Sequence, residues 1–433
     1  MINQLQKRIL ILALFAGELM MKSGAEIYRV EDTIIRICRA CNIPYVECFA
    51  TTTGIFLSLD SGSDDGNMHT FIKRIHRISI DLDKISRIND FSRVFTSTHL
   101  SVADGFEMLR EIERGGTYSL PVKMLGTGII GATFCMSLGG SPADALTSAM
   151  ITCFTWLTSR GIERLQVNPF IRVFMSCVIC TLCTLTAVAN IPAVNSSGAI
   201  IIAAITVFLP GVAITNAARD MLSGDMLSGV ARFAEALLTT IAIAVGVGSV
   251  MKLWHLIGKY PYYKELTDYP PYALFLFAFF STLGFCLLFH VPKKHIIAAS
   301  LIGACGFSLY QYILATGYSV IAASLPAACL VAVLGEIFSR AGKDATTLFI
   351  IPGIVPLVPG AGMYNTMVNL LAEDFSGAAS TGLQTFIVAG GIAVSLVVVA
   401  SFTRIIIALR ENTLKIAGQA KQRLLRKTGS KRR

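Results

Sequence analysis

The chain has 433 residues, 54% of them hydrophobic and 15% charged, with a mean hydropathy of +0.64. That composition excludes an ordinary soluble enzyme and is that of a membrane protein. The net charge of +10 is unevenly placed: residues 1–120 hold 14 Lys/Arg and 15 Asp/Glu, and residues 121–433 hold 23 and 12. A near-neutral soluble domain is therefore expected over 1–120, followed by a basic membrane domain.

The opening M-I-N-Q-L-Q-K-R and the apolar run Ile9 to Gly17 have the outline of a signal peptide. Glu18 interrupts the run, no A-x-A cleavage pattern follows, and the amphipathic pattern continues through Met21, so a helix over Leu5–Lys22 is the better reading. Ser23-Gly24-Ala25-Glu26 gives a capping-box signal for a second helix, whose apolar stripe is Ile27, Val30, Ile34, Ile37 and Cys41 and which Asn42 and Pro44 end. V-E-C-F-A-T and I-F-L-S-L, on either side of Thr53-Gly54, read as two strands, with a third over Met68–Ile75. Helices are expected over Ile80–Phe95 and Val102–Arg114, the second opened by Ser101 and closed by Gly115-Gly116. Together these make a small α+β domain, large enough to bury its own core.

Beyond it, long stretches free of charge mark helices of about 20 residues per crossing. Ten spans are predicted, at 122–140, 143–159, 171–190, 197–214, 233–253, 271–290, 294–313, 319–338, 346–366 and 383–404. With the N-terminal domain cytoplasmic, Arg160, Arg164, Arg219, Arg232, Lys293, Lys294, Arg340 and Lys343 all fall on inward loops. Lys252, Lys259 and Lys264, in the longer central loop, are the exception. Both termini are expected in the cytoplasm, and the basic tail after Arg404 is expected to meet anionic lipid headgroups rather than nucleic acid. The chain thus divides into a cytoplasmic domain (1–120), a first membrane repeat (121–257), an extracytoplasmic linker (258–270), a second repeat (271–405) and the tail (406–433).

One uncharged stretch, Ile351 to Met367, holds Pro352, Pro356 and Pro359 with Gly353, Gly360 and Gly362. Proline frees backbone groups that lipid cannot satisfy, so such a break belongs in protein or beside a watery cavity, as in the discontinuous helices of secondary transporters. A shift of 149 residues superposes Pro210, Gly211, Asn216, Leu222 and Asp225 on Pro359, Gly360, Asn365, Leu371 and Asp374. Five helices per repeat is an odd number, which inverts one half relative to the other, and substrate is expected where the halves meet. The candidate translocation residues are therefore Pro210, Gly211, Asn216, Asp225, Pro352, Gly353, Pro356, Pro359, Gly360, Asn365 and Asp374. Asp144, Glu235 and Glu336, at or near span ends, are candidates for proton coupling, beside the alternative of acids that simply face water.

Other chemistries find little support. Cys177, Cys180 and Cys183 have metal-ligand spacing but read as small apolar residues packing a span, and Cys38-x-x-Cys41 has no companion pair. No metal, cofactor or catalytic residue is expected. His69, His76 and His99 sit among polar residues with no hydrolase motif, and no G-x-x-x-x-G-K-[ST] loop occurs. A channel-like pore is the remaining rival, and a homo-oligomer is compatible with the composition.

The stretches Gly17–Glu31, Thr51–Ile55 and Asp220–Gly229 (D-M-L-S-G-D-M-L-S-G), with Pro352–Tyr364, resemble the threonine/serine exporter family over nearly the whole chain. The resemblance implies an inner-membrane exporter driven by the proton-motive force, with fused members associated with threonine and serine and a two-protein system with succinate. A dicarboxylate would need two anion holders, and Arg172 is the one arginine in the interior of a predicted span, which mildly favours the amino acid. The expected partners are thus a small-molecule substrate, protons and membrane lipids.

Overall fold

The computed structural model describes residues 4–429 other than 44, 61–67, 77, 99, 117, 223 and 258–266. Pro44, His99, Lys259, Lys264 and the last basic residues lie outside the described set, as do the side chains of Arg404 and of the tail from Arg410 onward.

The N-terminal region follows the expected order: α1 (Gln4–Lys22), α2 (Ile27–Ala40), β1 (Val46–Thr51), β2 (Gly54–Asp60), β3 (Met68–Arg74), α3 (Leu82–Ser97) and α4 (Val102–Arg114). The strands form an antiparallel sheet in the order β1-β2-β3, with Phe49 opposite Phe56 and Phe56 opposite Ile72. Alternation sends Ile55, Leu57 and Leu59 inward against Leu10, Leu12, Ile34 and Ile37, all fully or almost fully buried. The capping box expected at Ser23–Glu26 does not form. Glu26 stands at the N-cap position itself, and its carboxylate is drawn into ion pairs with Arg29 and Arg219.

The membrane region comprises α5 (Leu120–Ser137), α6 (Pro142–Arg164), α7 (Pro169–Asn190), α8 (Ser197–Ile205), α9 (Gly211–Leu222) and α10 (Met226–Leu256), then α11 (Pro271–Leu288), α12 (Ile296–Ala315), α13 (Val320–Gly342), α14 (Thr347–Ile354), α15 (Gly360–Leu371) and α16 (Phe375–Gly429). Among the described residues eight helices are long and apolar enough to cross a membrane, or nine when the bent pair α8–α9 is taken as one. Nine of the ten expected spans are thus accounted for. The helix that falls short is α6, expected as a span over 143–159. Its 23 residues are long enough, but its inner face is built of buried Thr147, Ser148, Thr152, Thr155 and Ser159. Hydroxyls that bond back to their own helix, such as Thr152 to the Ser148 carbonyl, let it pack against α5 and α7 with little hydropathy.

Helices α5 and α11 pack together and run antiparallel. Tyr118, just before α5, donates to the Val291 carbonyl just after α11, whereas the Thr267 amide, just before α11, donates to the Gly139 carbonyl just after α5. Gly126 and Gly284 permit the approach: a Cβ on Gly126 would lie 3.0 Å from the Gly284 carbonyl oxygen.

Candidate functional site

Two interrupted helices lie at the centre of the membrane region, and they are built alike. After α8 comes a 3-10 turn at Thr206–Phe208, then α9; after α14 comes a 3-10 turn at Val355–Leu357, then α15. From the turns to the starts of α10 and α16 each boundary repeats after 149 residues. The cause is Leu209-Pro210 and Val358-Pro359. Proline forces the residue before it out of the helical region, and Leu209 (φ −63°, ψ 132°) and Val358 (φ −62°, ψ 129°) are both extended. Pro352, expected to break the span, stays inside α14, and Gly353 packs against Ile302 and Val331. The interruption falls only at 358–359.

The two breaks touch reciprocally. A Cβ on Gly211 would lie 2.8 Å from Val358, and one on Gly360 would lie 2.5 Å from Leu209. Beyond each break the first amides of α9 and α15 have no acceptor within their own helix and carry partial positive charge. A cavity of about 290 Å³ opens on the first, lined by Pro210–Ala213, Arg172, Glu235 and Thr239. A second, of about 370 Å³, opens on the other, lined by Pro356, Pro359–Gly362, Asn365, Ser281, Tyr310, Gln311 and Gln384. Phe134 and Val358 line both, so they form a shared wall.

The remaining candidates are dispersed. Asn365 is exposed to the second cavity, whereas Asn216 is buried, lines neither cavity, and among the described residues its side-chain carbonyl has no hydrogen-bond partner. Asp225 stands half-buried at the start of α10, where burial pushes its carboxyl up. Asp374 is exposed at the start of α16, and the donors of Gly377 (2.9 Å) and Ser376 (2.8 Å) hold its carboxyl low. Glu336 faces Arg340 at 3.6 Å, and Glu235 is exposed on the wall of the first cavity, as Arg172, paired with Glu163 at 3.2 Å, is in part.

Asp144 is a fastener. Ser141 and the amides of Asn195 (2.8 Å) and Ser196 (3.2 Å) donate to its carboxylate, tying the start of α6 to the start of α8. The corresponding tie in the second half has its charge reversed: Lys294 and His295, at the start of α12, both reach Asp344, just before α14, at 2.6 Å. Ser86 of α3 also donates to Asp344, at 2.8 Å. Burial pushes the Asp344 carboxyl up, but Lys294, His295 and Ser86 outweigh it and hold the group below its ordinary value.

A second contact between the N-terminal region and the interrupted helices was not anticipated. Buried Glu26 pairs with Arg219 of α9 at 2.6 Å and with Arg29 at 3.3 Å, and Arg29 donates to Thr347 at the start of α14. Burial raises the Glu26 carboxyl, yet Arg29 and Arg219 bring it below the usual carboxylate range. Beside it, Arg232 of α10 faces Asp220 of α9 at 3.0 Å and donates to the Ala25 carbonyl at 3.1 Å. Among the described residues no group of His, Cys, Asp and Glu could hold a metal ion, and Cys177 and Cys180 are wholly buried in packing.

A threonine/serine exporter family profile matches residues 11–254, and a second profile of threonine/serine exporters matches 274–402. Among curated proteins, the chain is 22% identical to a threonine/serine exporter of Corynebacterium glutamicum, over 84% of this chain and 76% of that one. It is 26% identical to the "Probable succinate transporter subunit YjjP" of Escherichia coli, over 58% of this chain and 97% of that one. No solved structure matches the chain significantly. Interrupted apolar helices facing cavities, together with two profiles that cover most of its length, identify a multi-pass membrane transporter rather than an enzyme, and the chain belongs to the threonine/serine exporter family.

Proposed function

We propose that the protein exports threonine and serine across the inner membrane in exchange for protons, by alternating access between two five-helix halves of inverted orientation. The observation that carries this reading is the reciprocal contact of the breaks, Gly211 on Val358 and Gly360 on Leu209, with one cavity on each side. Two elements related in that way can trade places, opening one cavity as the other closes.

In this reading α6 is a tenth crossing, residues 121–257 and 271–405 are the repeats, and the N-terminal domain and basic tail both face the cytoplasm. The substrate carboxylate is held by the amides of Ala361 and Gly362 at the start of α15, and its ammonium by acceptors such as Asn365 and Gln384. Glu235 is the acidic group on the wall of the first cavity. Asp144 is engaged by Ser141, Asn195 and Ser196, and Glu336 faces Arg340 at 3.6 Å. A dicarboxylate such as succinate is the competing substrate, since one relative's name carries it.

The test loads proteoliposomes with labelled threonine, serine or succinate and follows loss of each with and without an imposed pH gradient, for wild type and Asn365→Ala. Gradient-driven loss of threonine and serine that falls about tenfold in the variant is expected. Loss of succinate alone would transfer the protein to dicarboxylate export, and loss that ignores the gradient would point to a pore.

A further inference from the structure

Asp220 is an unusual acid in this molecule. It is 0% exposed, it lies near the end of α9, the helix that follows the first break, and among the described residues neither of its carboxylate oxygens has a hydrogen-bond donor. Among the described residues its one ion-pair partner is Arg232, whose Nε stands 3.0 Å away, in ion-pair range but outside hydrogen-bond geometry. The other acids differ. Asp144 is surrounded by donors, Asp374 and Glu235 are exposed, and Glu336 is partly so.

We propose that Asp220 carries the coupling proton: Arg232 holds it ionised in one conformation, and it is protonated when α9 moves away from α10. This rests on the proton-exchange reading above. A buried carboxylate is tolerable only with its partner, and separating such a pair leaves a bare charge in surroundings that solvate it poorly. If α9 shifts against α10 during transport, protonation is the cheaper outcome, so conformation and proton are linked. Arg232 meanwhile keeps its second tie, to the Ala25 carbonyl at 3.1 Å, and so stays with the N-terminal region. The other charges that face Asp220 are Arg219 on α9 itself, Glu26 from the loop before α2 and Asp225 at the start of α10. Helix α16 also packs on α9 and has no ionisable side chain across 375–403. Arg219 is already engaged by Glu26, which leaves Arg232 as the group whose approach or departure decides the proton.

The experiment compares wild type, Asp220→Asn and Asp220→Glu in proteoliposomes, by two assays on labelled threonine: exchange against unlabelled threonine at equal pH, and loss under a pH gradient. We expect Asp220→Asn to keep exchange while losing about tenfold of the gradient's acceleration. Asp220→Glu should keep the acceleration with a shifted pH midpoint. Acceleration retained in Asp220→Asn, loss of both activities in that variant, or an unmoved midpoint in Asp220→Glu would each overturn the assignment. Wild type that exchanges threonine but ignores the gradient would instead defeat the proton-exchange reading, and the assignment with it.

Discussion

Asp344 gathers Lys294, His295 and Ser86 around one carboxylate, and its contribution should depend on pH in a definite direction. Its folded carboxyl titrates below the ordinary 3.8, so its stabilisation is complete above that value and is lost as pH falls through the lower, folded one. Asp344→Asn should therefore cost about 2 kcal/mol in denaturant unfolding of the purified protein at pH 7. Wild type and variant should converge only as pH falls below 3.8 and through the lower, folded value; a difference that stays constant with pH would count against the assignment. At this scale the sequence was only partly legible. Pro210, Gly211, Pro359, Gly360 and Asn365 could be found because backbone chemistry and a repeat mark them. Glu26, Arg219, Asp220, Arg232 and Asp344 could not, since each owes its environment to residues distant along the chain. The D-M-L-S-G repeat beginning at Asp220 was visible as a motif, but nothing local says that Arg232 will face it.

Among the elements, the two interrupted helices depend on glycine at the crossing. Gly211→Ala and Gly360→Ala should each force the breaks apart at a cost of about 1–3 kcal/mol and slow threonine loss from proteoliposomes. Gly390→Ala in α16, where an added Cβ meets nothing within 4 Å, should transport normally. Equal effects at all three positions would mean that helix propensity, not close approach, was being measured. The strands and the four helices of the N-terminal region were legible from period and turn residues. Helix α6 is marked in the sequence only by its lack of charge, because its buried hydroxyls lower its hydropathy. Pro352 was read as a break because a proline inside a helix usually disturbs it, yet α14 holds it, and extended backbone appears only before Pro359.

For the whole molecule, side assignment is the decisive measurement. In a background lacking the 11 native cysteines, Leu165→Cys and Lys293→Cys should resist a membrane-impermeant maleimide added to intact cells, and Thr316→Cys should react. Reaction at Leu165→Cys would mean that α6 does not cross and that the inverted five-plus-five arrangement fails. The linker has a further consequence. Thr267 bonds to Gly139 and Tyr269 to Gly140, so the start of the second half is pinned where the first helix of the first half ends. Were the halves made as separate chains, each would have to be inserted in its own orientation, produced in equal number and then meet its counterpart by diffusion in the bilayer. One continuous polypeptide removes all three demands: stoichiometry is fixed at synthesis, and the encounter becomes intramolecular, at an effective concentration set by the tether.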